Sequence, residues 1–136
     1  MSYERALEAA GVDVVVFEKF GSYQGDWLAK VRHDGHLGWI HGYYGSCSGC
    51  DAFEGEFGFT SHECGDDDWY DPLWDESGFK DDCKTCQDIK ERLRVFGEGY
   101  IESICTQEEI EAECKKNIEW DLDADEMLKF VEANKI

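Results

Sequence analysis

Proline occurs once in this chain, at Pro72, and basic residues are scarce: 13 lysines and arginines stand against 32 aspartates and glutamates among 136 residues. No apolar run is long enough to span a bilayer, and the opening "MSYERALEAAG" has no basic segment followed by an apolar one, so it is not the pattern of a secretory signal and the cytoplasm is the expected location. The shortage of cations excludes direct nucleic-acid binding at moderate salt, because such binding needs side chains that replace phosphate counterions. Gly-x-Ser-x-Gly, P-loop and dinucleotide glycine patterns are also missing, which removes the common signatures of hydrolases and nucleotide enzymes.

What is present is acid, aromatic rings and cysteine. The net charge is −19, and 14% of the residues are aromatic. Residues 1–46 hold four bases against six acids, so nearly all of the excess lies in residues 47–136. A surface of this kind steers basic protein surfaces toward it at long range. The length fits a single domain over residues 1–136 with a sizeable core.

Strand signals dominate the first third. Ser2 can cap a short helix that Gly11 ends, after which "VDVVVFEKF", "DWLAKVRH" and "HLGWIHGYY" read as three strands. Asp34-Gly35 between the last two is a strong two-residue hairpin signal. It implies an antiparallel meander over residues 12–44 in which Lys30 faces Trp39, Arg32 faces Leu37 and Leu28 faces His41. One face then carries Lys30, Arg32, Trp39 and Tyr43, a set that could cradle an anionic, aromatic ligand such as a nucleotide signal. The opposite face carries Trp27, Ala29, Val31 and Ile40.

Periodicity is lost between Cys47 and Asp82. The stretch "GDDDWYDPLWDESGFKDD" reads as a long acidic loop studded with Trp69, Tyr70, Trp74 and Phe79. Its carboxylates, Asp66, Asp67 and Asp68 above all, could stand in for phosphates on a basic partner, with Trp69 and Trp74 as anchors. Helical spacing returns at "CKTCQDIKERLRVF". "GYIESIC" has the composition of a short extra strand, and two helices follow, one expected to carry a capping box at Thr106 and Glu109 and the other at Asp123 and Glu126. The expected fold is α+β: an antiparallel meander with C-terminal helices and a zinc-stapled long loop.

Cys47-Ser-Gly-Cys50 and Cys83-Lys-Thr-Cys86 are both C-x-x-C pairs. In a reducing compartment paired thiols point to metal, and four thiolates complete a tetrahedral structural zinc shell. The second pair opens a helix, whose N-terminus favours thiolate. His62 and Cys64 in "SHEC" are the competing ligands, able to replace a cysteine or to complete a site without one of the pairs. Thiol–disulfide chemistry is the rival reading of "CSGC", but Asp51, Glu54 and Glu56 nearby work against a reactive thiolate. Cys105 and Cys114 lack paired spacing and suit buried packing.

"YQGDWLAKV" followed by "YGSCSGCDAF" resembles a motif pair in short proteins of bacteriophage genomes, over residues 23–53. The resemblance implies a phage origin and with it an inhibitor of a host defence or nucleic-acid-handling protein; it supplies no catalytic residue. The expectation is a zinc-stabilised acidic binding protein rather than an enzyme. A nucleotide-binding sponge and a metal-dependent or thiol-redox enzyme are the alternatives, and the oligomeric state stays open.

Overall fold

A computed structural model describes residues 2–21, 24–45, 51–58, 60–65, 67–73, 78–118 and 123–136 of the chain. The order of elements is α1 (Ser2–Ala9), β1 (Asp13–Gly21), β2 (Gly25–His33), β3 (His36–Tyr44), α2 (Ala52–Phe57), β4 (His62–Cys64), β5 (Asp67–Tyr70), α3 (Lys84–Glu98), a 3-10 turn (Ile101–Ser103), α4 (Gln107–Asn117) and α5 (Ala124–Ala133). This is an α+β fold with helices at its C-terminal end.

The first sheet is an antiparallel meander in the order β1-β2-β3. Its second turn holds Asp34 at φ 51° and Gly35 at φ 78°, the left-handed pair that a two-residue hairpin of matching twist requires. That turn fixes the register, so Lys30 pairs with Trp39, Arg32 with Leu37 and Leu28 with His41. The alternation of a strand then sends Trp27, Ala29, Val31 and Ile40 to one side, where they pack with Tyr3, Ala6 and Leu7 of α1, Phe53 and Phe57 of α2, and Ile89 and Leu93 of α3. Leu28 and Trp39 face the other side and meet Ile110 and Cys114 of α4 and Met127 and Val131 of α5. Helices therefore cover both faces. On the first face α3 approaches α1 so closely that a Cβ added at Gly97 would lie 1.9 Å from the Ala6 carbonyl oxygen.

The covering of the second face corrects one expectation. Trp39 is fully buried beneath α4 and α5, and its Nε1 donates to Gln107 Oε1 at 2.7 Å. Lys30 Nζ donates to the Lys135 carbonyl at 3.2 Å, and Arg32 lies 3.6 Å from Asp13. Tyr43 stays 66% exposed, its ring 4.9 Å from that of His41. These four residues thus form no open cradle, because the indole that would stack on a ligand is part of the core. His41 adds to the closure: Nδ1 lies 3.0 Å from Glu113 Oε1 and Nε2 3.1 Å from Asp26 Oδ1, which ties α4 to β2 and β3.

Between Cys47 and Asp82, where the sequence shows no periodicity, the chain forms α2 and a second, two-stranded sheet, whose strand β5 lies in the stretch read as a long acidic loop. Asp51 caps α2 by accepting from the Glu54 N–H, and Phe53 and Phe57, one helical turn apart, bury their rings. Near the C-terminus the Thr106–Glu109 capping box forms as expected. The Asp123–Glu126 box does not: Asp123 has helical angles of φ −93° and ψ −11° and makes no side-chain cap bond. A capping side chain folds back only from an extended backbone. The extra strand expected at "GYIESIC" is reduced to the 3-10 turn and one bridge, in which Cys105 and Trp39 exchange two backbone bonds of 2.8 Å. Among the described residues no helix is long and apolar enough to cross a membrane.

Candidate metal centre

Two local structures bring four ligand-bearing side chains together. The first is the start of α3. Cys83 is its N-cap residue, and the Cys83 sulfur accepts from the Cys86 N–H at 3.5 Å. A thiol in place of the usual hydroxyl or carboxylate cap puts one sulfur at the helix mouth and the next one turn inward. The second is the β4–β5 hairpin, in which His62 pairs with Tyr70 and Cys64 with Asp67. Positions 62 and 64 share a face of the strand because side chains alternate. The Tyr70 ring is buried, and its hydroxyl donates to the Gly78 carbonyl, which closes the segment that returns to α3.

His62, Cys64, Cys83 and Cys86 each direct one ligand atom to a common point, all within 4.8 Å of one another. Cys64 Sγ and Cys86 Sγ are 3.6 Å apart, and His62 Nε2 lies 3.4 Å from both Cys83 Sγ and Cys86 Sγ. A tetrahedron with zinc–sulfur bonds of about 2.3 Å has edges near ~3.8 Å, so these spacings suit one small ion. His62 Nδ1 donates to the Thr60 carbonyl at 2.9 Å, which keeps the proton on Nδ1 and leaves the Nε2 lone pair facing the sulfurs. These residues are placed to hold a metal ion.

The thiols are not equivalent. The backbone N–H of Cys86 at the helix start, followed by bonds from Cys64 and His62, brings Cys83 down to about 6. Burial, then bonding to Cys83 and Cys86, pushes Cys64 up to about 12. The site thus favours the thiolate most at Cys83 and least at Cys64. His62 is raised, first by its bond to Thr60 and then by Cys83. Cys64 and Cys86 are buried, and His62 and Cys83 are half-buried.

Of the four cysteines expected to bind metal, Cys83 and Cys86 lie in this cluster, and Cys47 and Cys50 lie outside the described residues. The competing ligands His62 and Cys64 supply the other half. The signal that points to them is the His-x-Cys spacing in a short strand, which aims both side chains the same way. Cys114 is buried in the second core as expected, while Cys105 is half-buried against it, and burial, then Glu109, raises Cys105 to about 11.

Trp69 projects from β5, 78% exposed and at φ 57°, a left-handed backbone that a bulky side chain rarely adopts. Asp67 and Asp68 precede it on the same strand, and Asp66 and Trp74 lie outside the described residues. Asp71 turns to structural use, accepting from Thr60 Oγ1 at 2.8 Å and from the Leu73 N–H at 3.1 Å. No family model matches this chain, no curated protein is significantly similar to it, and no solved structure matches it.

Proposed function

We propose that the protein is a zinc-stabilised, acidic, non-catalytic binding protein, and that its metal-fastened hairpin docks on a basic protein surface. The observation that carries this reading is the closed donor set. Three sulfurs and one imidazole nitrogen lie within 4.8 Å of one another, enough donors to complete a tetrahedral shell by themselves, which favours structural over catalytic zinc. Soft thiolates with an imidazole favour zinc over magnesium or calcium. The net charge of −19 supplies the attraction for a basic partner, and the exposed Trp69 supplies an apolar anchor. The resemblance of residues 23–53 to short phage proteins supports a host protein, of a defence or nucleic-acid-handling system, as the target. The burial of Trp39 weighs against the nucleotide-sponge alternative.

The test is metal content. The purified protein is expected to hold about one zinc per chain, as a complete tetrahedral shell requires. His62→Ala, Cys64→Ser, Cys83→Ser and Cys86→Ser should each lose it, whereas Cys47→Ser and Cys50→Ser should keep it. Structural zinc contributes on the order of 10 kcal/mol in small domains, against a typical total stability of roughly 5–15 kcal/mol, so chelation should at least release the hairpin. A metal-free protein, or full occupancy in the four cluster variants, would overturn the assignment.

A further inference from the structure

We infer that this centre is also a thiol-based release device: a peroxide closes a disulfide between Cys83 and Cys86, and the β4–β5 hairpin then comes away from α3. The inference rests on the reading of the four residues as a zinc shell and adds a means of undoing it.

Three features lead to it. Among the described residues, none of the hairpin belongs to either sheet core. It packs through a small cluster made of Cys64, Tyr70 and Cys86 with Phe79 and Cys83 against it, which meets the first core at Phe79. Three of those five residues are ligands, so the metal centre makes most of the hairpin's apolar contact with the start of α3, while Tyr70, hydrogen-bonded to Gly78 and beneath Lys80, ties it to the segment before that helix. The thiols also differ in access. Cys64 and Cys86 are buried, while Cys83 is half-buried and is the sulfur an oxidant meets first. Finally, Cys83 and Cys86 occupy the N-cap and third positions of one helix, the spacing at which a C-x-x-C pair closes a disulfide without moving the backbone of another element.

The chemistry balances with hydrogen peroxide as the oxidant. The Cys83 thiolate attacks one peroxide oxygen; the O–O bond breaks, the sulfur becomes a sulfenic acid, and hydroxide leaves to be protonated to water. The Cys86 thiolate then attacks the sulfenic sulfur. The S–O bond breaks, a second hydroxide leaves as water, and the disulfide remains. Both electrons come from the thiolates, both go to the peroxide, and two protons come from solvent. His62 and Cys64, which share β4, are left facing a helix start with no free sulfur, and one thiolate with one imidazole does not complete a shell. The pairing decides the outcome. A bridge within α3 frees the hairpin, whereas a bridge from Cys64 to either helix cysteine would lock it in place.

The experiment treats the zinc-loaded full chain with hydrogen peroxide and follows three readouts: zinc release to a chromogenic chelator, disulfide position by peptide mass mapping, and hydrogen exchange across residues 62–70. Zinc is expected to leave in step with formation of the Cys83–Cys86 disulfide, exchange in the hairpin to rise, and a thiol reductant with added zinc to reverse all three. The same response in a variant with Cys47, Cys50, Cys105 and Cys114 all changed to Ser would assign it to the cluster. A disulfide that includes Cys64, or zinc retained while other thiols oxidise, would overturn the device and leave the metal site standing. A chain that holds no zinc before treatment would overturn both.

Discussion

The Tyr3 hydroxyl donates to Asp51 Oδ1 over 2.8 Å, and this buried bond joins the first helix to the start of the second. Asp51 does more than cap α2. The same Oδ1 accepts from the Gly45 N–H at 2.9 Å and Oδ2 from the Glu54 N–H at 2.9 Å, so one carboxylate gathers α1, the end of β3 and α2. Removing an acceptor strands buried donors at a cost of about 1–3 kcal/mol, and losing a helix cap costs about 1 kcal/mol more. Asp51→Ala is therefore expected to lower stability by roughly 2–4 kcal/mol, and Tyr3→Phe, which removes one donor only, by about 1 kcal/mol. Urea unfolding of the two variants checks the order. A loss below about 1 kcal/mol in Asp51→Ala would mean that water replaces the carboxylate without strain.

Alkaline pH should attack the same region. Burial, then the bond to Asp51, raises the Tyr3 phenol far above its ordinary value. Tyr100 is raised by burial and then Asp51, and Tyr44 by burial and then Asp123 and Asp26. With a folded value above the unfolded value of about 10, a phenol contributes stability that is complete below pH ~10. That contribution is lost as pH climbs through the folded value, because the unfolded chain gives up its proton first. Of the six tyrosines, these three are expected to ionise only as the chain unfolds. Phenolate absorbance against pH, read beside circular dichroism, follows both events. Ionisation of Tyr3, Tyr44 and Tyr100 in a protein that is still folded would contradict the raised values.

Trp69 is expected to separate stability from binding. Its backbone at φ 57° costs a bulky residue about 1–2 kcal/mol, and glycine would remove that cost at the expense of a more flexible unfolded chain. Trp69→Gly should leave the urea midpoint unchanged or slightly higher, yet weaken partner binding by a factor of about 30, the loss of one aromatic anchor. Asp66, Asp67 and Asp68 changed together to Asn should slow association more than they speed dissociation, with a shallower salt dependence. Surface plasmon resonance over a salt series reads both. An affinity indifferent to salt and to the triple change would end the charge-steered reading.

Features encoded within a few residues were legible in the sequence. Asp34-Gly35 implied the turn and hence the pairing of Lys30 with Trp39, and Thr106 with Glu109 implied a capping box; both rest on local backbone chemistry. The C-x-x-C at Cys83 and Cys86 implied ligands at a helix start for the same reason. What escaped depends on distant partners. Strands of three and four residues show no alternation long enough to detect, so β4 and β5 looked like loop, and the pairing of His62 and Cys64 with α3 was visible only as an alternative. The face shared by Lys30 and Trp39 was read correctly, but strand alternation says nothing of which helices will cover a face. Asp123 has the composition of a cap and lacks the backbone for it.

The two cores on opposite sides of one sheet set an order on biosynthesis. Leu28 and Trp39 leave the ribosome early, yet the residues that cover them, Ile110, Cys114, Met127 and Val131, are translated last. The first side can close once α3 has emerged, since Tyr3, Trp27, Phe53 and Leu93 all precede residue 100. For the time it takes to translate the remaining stretch, the nascent chain is a half-clad sheet with an indole bare on its open side. The dense acid of the later segments then acts before folding is finished, keeping such half-built chains apart from one another by mutual repulsion.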